Sequence, residues 1–469
     1  MTFFFETYGC QMNSAESAAL ALVCKERGWS EAEEAESADL ILINTCSVRL
    51  TAEKRTLGRI AHFAGLKKKN KSKQGLSRNF TLVIAGCMAQ RIGEKLIDQF
   101  PQIDYVMGTY NEPQKNEVSG TLARSDFPLI LEAVEKGAKA KLNIDEKSVF
   151  SFSNSHYEEG HFRSFIPIMH GCNNFCSYCI VPYVRGREVS RDPQNILQEI
   201  RLVAERGVRE ITLLGQNVNT YSWETASPVN ASITKIGFAV LLKIIVEEAE
   251  KCGIRWIRFL SANPGDFSSE TIDVIADNKI FCRHLHLPVQ HGSDKILKAM
   301  NRGYTSQEFL KLVKAIRSAM PDITLSTDIL AGFPGETEED FQEALNLMEE
   351  VKFLYSYMYH FNPREGTAAF GLPDRISEEV KRERLSRVIS LQKKHTNELL
   401  KSRIGCTEIV LIEGISRKNA DELITRTEKD EMVAVPGPKS LIGSFGKLVL
   451  SSLKGNTFRS KEIQPCPGV

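Results

Sequence analysis

Three cysteines within eight residues, Cys172, Cys176 and Cys179, constrain this chain more than any other feature. Their spacing is C-x3-C-x2-C. A tight loop carrying three thiolates can hold three irons of a four-iron cube and leave the fourth iron without a protein ligand. An open metal position is what a catalytic site needs and a purely structural site lacks. The spacing departs from the C-x2-C-x2-C run of bacterial ferredoxins. It also departs from the paired C-x2-C units of zinc ribbons. The competing reading is a zinc knuckle, with His170 as the candidate fourth ligand.

A second set of cysteines follows a different logic. Thr2–Tyr8 reads as a strand that runs into Gly9 and Cys10. Leu40–Asn44 is a buried-type strand followed by Thr45 and Cys46, and Phe80–Ala85 is a strand followed by Gly86 and Cys87. Helical patterns over Asn13–Arg27 and Thr51–Phe63 lie between them, and Asp104–Met107 offers a further strand. Strands alternating with helices imply a doubly wound parallel sheet, whose ligands bind at the C-terminal strand ends. Cys10, Cys46 and Cys87 are therefore expected to converge and to hold a second cluster, again with one open iron.

From Phe165 the alternation restarts. Strand patterns fall at Phe165–Met169, Glu210–Leu214, Trp256–Leu260, Arg283–Leu287, Thr324–Ile329 and Tyr355–Tyr359, with helices such as Asn195–Arg206, Val240–Cys252 and Ser306–Ala319 between them. Six repeats imply an open (βα)6 barrel, with chemistry at the C-terminal strand ends. The cysteine loop follows the first of these strands, as that rule requires. Glu378–Arg403 reads as a long helix whose Lys381, Arg382, Arg384, Arg387, Lys393 and Lys394 form a solvated, basic face. Beyond Thr407 short strands at turn-bounded intervals predict a small β-barrel. The expected domains are 1–125, 155–395 and 396–469.

Composition sets outer limits. At 469 residues the chain is too long for one core. The net charge of +1 leaves nucleic-acid binding to local patches. Leu66–Arg78 is one such basic stretch and reads as a flexible surface loop; Asn111–Glu159 reads as a crossing between domains. No signal peptide or membrane span is expected. An odd count of eleven cysteines argues against a disulfide framework. Cys24, Cys252, Cys282, Cys406 and Cys466 read as ordinary thiols in a reducing, cytoplasmic protein.

The loop, with Tyr178 before its third cysteine, resembles the signature of radical S-adenosylmethionine (SAM) enzymes. The run from Gly171 to Arg191 is similar to that of the methylthiotransferases, and the runs around Cys10, Cys46 and Cys87 resemble the same family's N-terminal domain. The resemblance implies a radical SAM barrel carrying one 4Fe-4S cluster on Cys172, Cys176 and Cys179, and an auxiliary 4Fe-4S cluster on Cys10, Cys46 and Cys87. It implies that SAM contacts Tyr178, Gly215, Gln216, Asn217, Asp328 and Gly332. It implies a C-terminal RNA-binding barrel of the TRAM type, a tRNA anticodon stem-loop as substrate, an electron donor and a sulfur source. The Gln216-Asn217-Val218-Asn219 stretch is similar to the branch that acts on dimethylallyl-adenosine in tRNA. Sibling branches act on threonylcarbamoyl-adenosine or on a ribosomal-protein aspartate, and a non-catalytic iron–sulfur RNA-binding protein is the alternative from another class. Two positions depart from the family pattern: Asn263 stands where a His is usual and His291 where a Ser is usual.

Overall fold

The computed structural model describes residues 1–47, 50–72, 79–109, 121–122, 126–137, 152–153, 156–226 and 233–466. These form two compact units. The first contains residues 1–159, 169–175 and 179–191; the second contains 160–168, 176–178 and 192–469.

The first unit is built on β1 (Thr2–Thr7), β2 (Ser30–Glu31), β3 (Leu40–Thr45), β4 (Thr81–Gly86), β5 (Tyr105–Met107) and β6 (Thr121–Leu122). They lie in the order β2-β1-β3-β4-β5-β6, with every pairing parallel. Helices α1 (Gln11–Glu26), α2 (Leu50–Ser72), α3 (Cys87–Gln99) and α4 (Phe127–Glu135) alternate with these strands. The continuous apolar run of β3 is explained by cover on both faces. Ile41, Ile43, Leu82 and Ile84 pack with Ile60 and Phe63 of α2. Leu40, Leu42, Val83 and Ala85 pack with Leu20 of α1 and Phe127 and Ile130 of α4. The doubly wound parallel sheet is as expected.

Two local expectations change. The helix expected over Thr51–Phe63 continues to Ser72, so the first half of the basic Leu66–Arg78 stretch is helical. Lys67 is buried there and pairs with Asp104, so it is no solvated loop residue. Residues 73–78 lie outside the described residues. The weak pattern over Asn111–Glu159 concealed β6 and α4. A nine-residue helix with Pro128 in its first turn is short, and its burial signal comes from the tertiary partner. The remainder of that stretch lies largely outside the described residues.

After β7 (Arg163–Pro167), a strand of the second unit, the chain returns to the first. There β8 (Met169–His170) pairs antiparallel with β9 (Val189–Ser190), and α5 (Val181–Arg185) lies between them.

In the second unit β10 (Glu210–Leu214) is followed by an antiparallel hairpin, β11 (Ser222–Ala226) and β12 (Ile233–Gly237). Next come β13 (Trp256–Phe259), β14 (His284–His286), β15 (Thr324–Ala331) and β16 (Tyr355–His360). Two parallel sheets result, β13-β10-β7 and β14-β15-β16, linked by a parallel bridge between Ile257 and Phe281. The strand expected at Phe165–Met169 is displaced toward the N-terminus, because Arg163–Pro167 pairs with all of β10. The helices are α6 (Pro193–Glu205), α7 (Phe238–Cys252), α8 (Ser269–Asp277), α9 (Asp294–Ala299), α10 (Ser306–Ala319), α11 (Glu338–Val351) and α12 (Glu378–Ser402). Capping boxes at Thr305–Glu308 and Thr337–Asp340 start α10 and α11.

The basic face expected on α12 is corrected in part. Lys381 and Arg384 are each 5% exposed. Arg384 donates to Glu336 at 2.7 Å and Lys381 to Glu378 at 2.8 Å. A long side chain at helical spacing can turn inward when a buried carboxylate awaits it, and charge counting cannot register that.

The C-terminal strands are β17 (Thr407–Ser416), β18 (Asn419–Thr427), β19 (Met432–Pro436), β20 (Phe445–Val449), β21 (Ser452–Lys454), β22 (Thr457–Arg459) and β23 (Gln464–Pro465). They form one sheet in the order β21-β22-β19-β18-β17-β20-β23. It is joined to the rest of the unit at the N-terminal ends of the parallel strands. Trp256, first residue of β13, meets Phe445 edge-on at 4.9 Å. Arg163 of β7 pairs with Glu413 at 2.8 Å, and Tyr355 of β16 donates to Asp430 at 2.9 Å. Arg258 donates to the Thr427 and Glu428 carbonyls and to Glu210 at 3.1 Å.

Glu210 is buried, so removing Arg258 strands an unpaired carboxylate. Arg258→Met is expected to cost about 3–5 kcal/mol. Arg258→Met combined with Glu210→Gln should recover much of that loss. Chemical denaturation of the single and double variants checks both; equal losses in the two would refute the pairing account.

Candidate active site

The parallel register brings two cysteines level. Thr45 of β3 pairs with Gly86 of β4, so Cys46 and Cys87 leave adjacent strands at the same height. β1 lies on the other side of β3, with Thr7 paired to Asn44, and Cys10 follows it. Cys10 is the N-cap of α1 and Cys87 the first residue of α3. Helix N-termini favour negative charge and therefore thiolates. Burial pushes the Cys87 thiol up to about 12; the nearby Arg185 charge draws it back, while Cys46 and Cys10 raise it. Cys46 and Cys10 thus both act on Cys87 at one sheet edge.

Asn13 and Asn44 hold that edge together. Asn13 is fully buried and donates to Asn44 Oδ1 at 2.9 Å and to the Thr45 carbonyl at 3.1 Å. Asn44 donates in return to the Asn13 carbonyl at 3.0 Å and to Ser17 at 3.1 Å. Gly86 sits at φ +95°, and a Cβ there would lie 2.4 Å from both Asn44 Oδ1 and the Thr45 carbonyl. Both asparagines belong to the cysteine motifs, but nothing in the sequence joins residues 13 and 44.

The C-x3-C-x2-C loop is divided between the units: Cys172 and Cys179 belong to the first, Cys176 to the second. In the first, Gly171 has φ +79°, and a Cβ would lie 2.0 Å from the Arg187 carbonyl. The Cys172 amide donates to the Gly186 carbonyl at 3.1 Å. Immediately after Cys179, Ile180 and Val184 pack on Cys87. In the second unit, Arg302 donates to Cys176 Sγ at 3.3 Å. Arg302 also donates to Asn263 Oδ1 at 3.0 Å and to the Pro288 carbonyl at 2.9 Å. Ser177 is fastened to the Met300 and Ala299 carbonyls. Arg302 carried no sequence signal; its guanidinium matters only because three loops close around it.

The remaining expected site residues lie in the second unit, with Gly215, Gln216 and Asn217 just beyond β10, Asp328 within β15, Gly332 just beyond it and Tyr178 in the cysteine loop. Tyr178 packs on Ile296, Met300, Phe333 and Phe361. Gly215 and Gln216 leave β10. Asn217 is fully buried, donates to Asp266 at 2.9 Å and accepts from the Asn263 amide at 3.3 Å. Asp328 of β15 accepts from Gln290 at 3.4 Å, with His286 at 3.8 Å. Gly332 has φ +74°, and its amide donates to Glu336 at 2.8 Å. The two departures from the family pattern are absorbed into these contacts. Asn263 accepts from Arg302, and His291 lies 3.3 Å from Glu336. None of the eleven cysteines, all among the described residues, is in a disulfide. Among the described residues no three His, Cys, Asp or Glu side chains are grouped about a single metal-ion position.

A parallel α/β unit with a C-x3-C-x2-C loop after its first strand defines a radical SAM protein. The Radical SAM superfamily model matches residues 166–348, and the uncharacterized protein family UPF0004 matches residues 2–108. A radical S-adenosylmethionine methyltransferase from Kitasatospora setae, solved with cobalamin and a 4Fe-4S cluster, shares the fold. It aligns with a TM-score of 0.56 at 14% identity, covering 79% of this chain and 77% of that one. The tRNA-2-methylthio-N(6)-dimethylallyladenosine synthase of Treponema denticola is 50% identical over 469 residues, 98% of this chain and 99% of the relative. The enzymes of the same name from Treponema pallidum and Syntrophus aciditrophicus are 47% and 39% identical, covering 99% and 98% of this chain and 99% and 94% of theirs. The chain belongs to the tRNA-2-methylthio-N(6)-dimethylallyladenosine synthase family.

Membership implies SAM and a 4Fe-4S cluster. The residues fit such a group: the cysteines are unbridged, and a buried guanidinium donates to Cys176. No helix among the described residues is long and apolar enough to cross a membrane.

The two environments of glycine predict opposite responses. Gly58 of α2 has nothing within 4 Å of a built Cβ, so Gly58→Ala should stabilise by about 0.4–1 kcal/mol. Gly86→Ala should destabilise by more than that. Denaturation of the apo-protein reads both; a stable Gly86→Ala variant would refute the close-packed edge.

Proposed function

We propose that this transferase adds a methylthio group to C2 of N6-dimethylallyladenosine beside the tRNA anticodon, using two 4Fe-4S clusters. The observation that supports two clusters is the sheet edge: three adjacent parallel strands are each followed within three residues by a cysteine, with a buried amide network beneath them. When bound, the groups supply a 5′-deoxyadenosyl radical from SAM at one site and sulfur at the other.

The chain's own part is to hold and to exclude. Cys172, Cys176 and Cys179 would ligate the SAM-binding cluster, and Cys10, Cys46 and Cys87 the auxiliary one. Arg302 donates a charge-assisted hydrogen bond to Cys176 Sγ and so fixes the direction of that sulfur. Glu336, held by Arg384 at 2.7 Å, accepts from the Gly332 and Phe333 amides and fixes the turn proposed to meet SAM. Tyr178, Gly215, Gln216, Asn217 and Asp328 complete the proposed SAM site, with Asn217 acting as a clasp on the 261–264 loop. An anticodon loop offers the unstacked base that such chemistry requires.

Architecture supports a division of labour. Residues 1–125 carry the auxiliary site, and 155–395 are read as an open (βα)6 barrel formed by the two three-stranded sheets. Residues 396–469 are read as a TRAM-like RNA-binding barrel. The electron donor, the sulfur source and a cytoplasmic location belong to the same reading.

Anaerobic reconstitution should give about eight irons per chain, and about four in the variant with Cys10, Cys46 and Cys87 all changed to Ala. That variant should still release 5′-deoxyadenosine from SAM with a strong reductant but make no methylthiolated tRNA. Chromatography and nucleoside mass spectrometry measure both. Methylthiolated product from the variant would overturn the auxiliary assignment. Product on threonylcarbamoyl-adenosine or on a protein would overturn the substrate.

A further inference from the structure

Arg185 and Glu16 form the most deeply buried ion pair at the first unit's sheet edge. Arg185 ends α5, and its Nη1 and Nη2 donate to Glu16 Oε1 and Oε2 at 2.7 and 3.3 Å. The two side chains are 3% and 5% exposed. Taking two charges out of water carries a desolvation penalty, so such a pair is weak evidence for stability alone. Its position is more informative. Glu16 is on α1, the helix that Cys10 caps. Arg185 follows Val184, which packs on Cys87. Burial opposes the guanidinium charge, yet Cys87, Glu16 and Cys10 together hold Arg185 well above its ordinary pKa.

We propose that Arg185 is a positioning residue whose charge acts on Cys87 and on the cluster that Cys10, Cys46 and Cys87 hold, with Glu16 setting how much of that charge is felt. The inference rests on reading those cysteines as cluster ligands. Arg185 touches neither substrate nor SAM in this role. It acts on the electronics of the site, since net charge and burial around a cluster set its reduction potential.

The two partners then have opposite effects. Reduction adds negative charge to a cluster, and a neighbouring cation favours the reduced form. Arg185→Gln removes that cation and leaves Glu16, so the midpoint potential should fall. Glu16→Gln leaves the cation without its counter-charge, so the potential should rise. A pair that only holds α1 against α5 would give no such opposition, because either substitution breaks the same contact.

The test uses the full chain with Cys172, Cys176 and Cys179 all changed to Ala, so that one cluster is read. Iron content and the EPR-monitored midpoint potential are measured for this parent, for Arg185→Gln, for Glu16→Gln and for Arg185→Lys. The expected result is a lower potential for the first variant, a higher one for the second, and a return toward the parent for Arg185→Lys, which keeps the charge. Shifts of the same sign, or no shift with iron bound, would overturn the proposal. If Arg185→Gln fails to fold, Glu16→Gln decides: a raised potential supports the role and an unmoved one refutes it. A parent that binds no iron would bring down the cysteine reading itself, and the inference with it.

Discussion

Asn13 and Asn44 hydrogen-bond each other through side chain and backbone at the end of a buried parallel sheet, and the cysteine edge depends on that exchange. Strand ends are where a parallel sheet runs out of backbone partners. Asn13 accordingly donates to the Thr45 carbonyl, one residue before Cys46. Asn44 fills the space beside Gly86 so closely that no Cβ fits, one residue before Cys87. Two amides and one glycine thereby set the directions in which three thiols leave the sheet.

The second unit meets the same problem with charge. Arg302 is buried and supplies hydrogen bonds to Cys176, to Asn263 and to the Pro288 carbonyl, so one guanidinium orders three loops. Arg384 does likewise through Glu336, whose carboxylate accepts the Gly332 and Phe333 amides. Planar, multi-donor guanidinium groups suit this work because each satisfies several acceptors at once. His291 lies beside the same carboxylate at 3.3 Å and is a further buried neighbour for Glu336.

The C-terminal sheet is joined to the strand N-termini of its unit, and the loops expected to bind SAM leave the opposite ends. Arg163, Trp256 and Tyr355, the contacts to that sheet, open β7, β13 and β16. Gly215 and Gly332 follow the last residues of β10 and β15. Stability at one end and chemistry at the other is the usual division in parallel α/β folds.

The strands with continuous apolar runs, the three strand-end cysteines and the C-x3-C-x2-C loop were legible in the sequence, because each is a local pattern of side-chain period or spacing. That these strands run parallel was legible too, since strands alternating with helices imply it; their order was not. What only the tertiary structure decided were the long-range partners. Glu16 and Arg185 are 169 residues apart, and Cys176 and Arg302 are 126 apart. Lys381 and Arg384 lie in a charged helix that reads as a solvated face, yet both are buried, one of them against a carboxylate 48 residues upstream. Helix α4 was hidden because its apolar residues find their cover on strands far back in the chain. Local pattern fixes which residues face inward; which buried charge meets which depends on chain closure, and no single stretch of sequence encodes it.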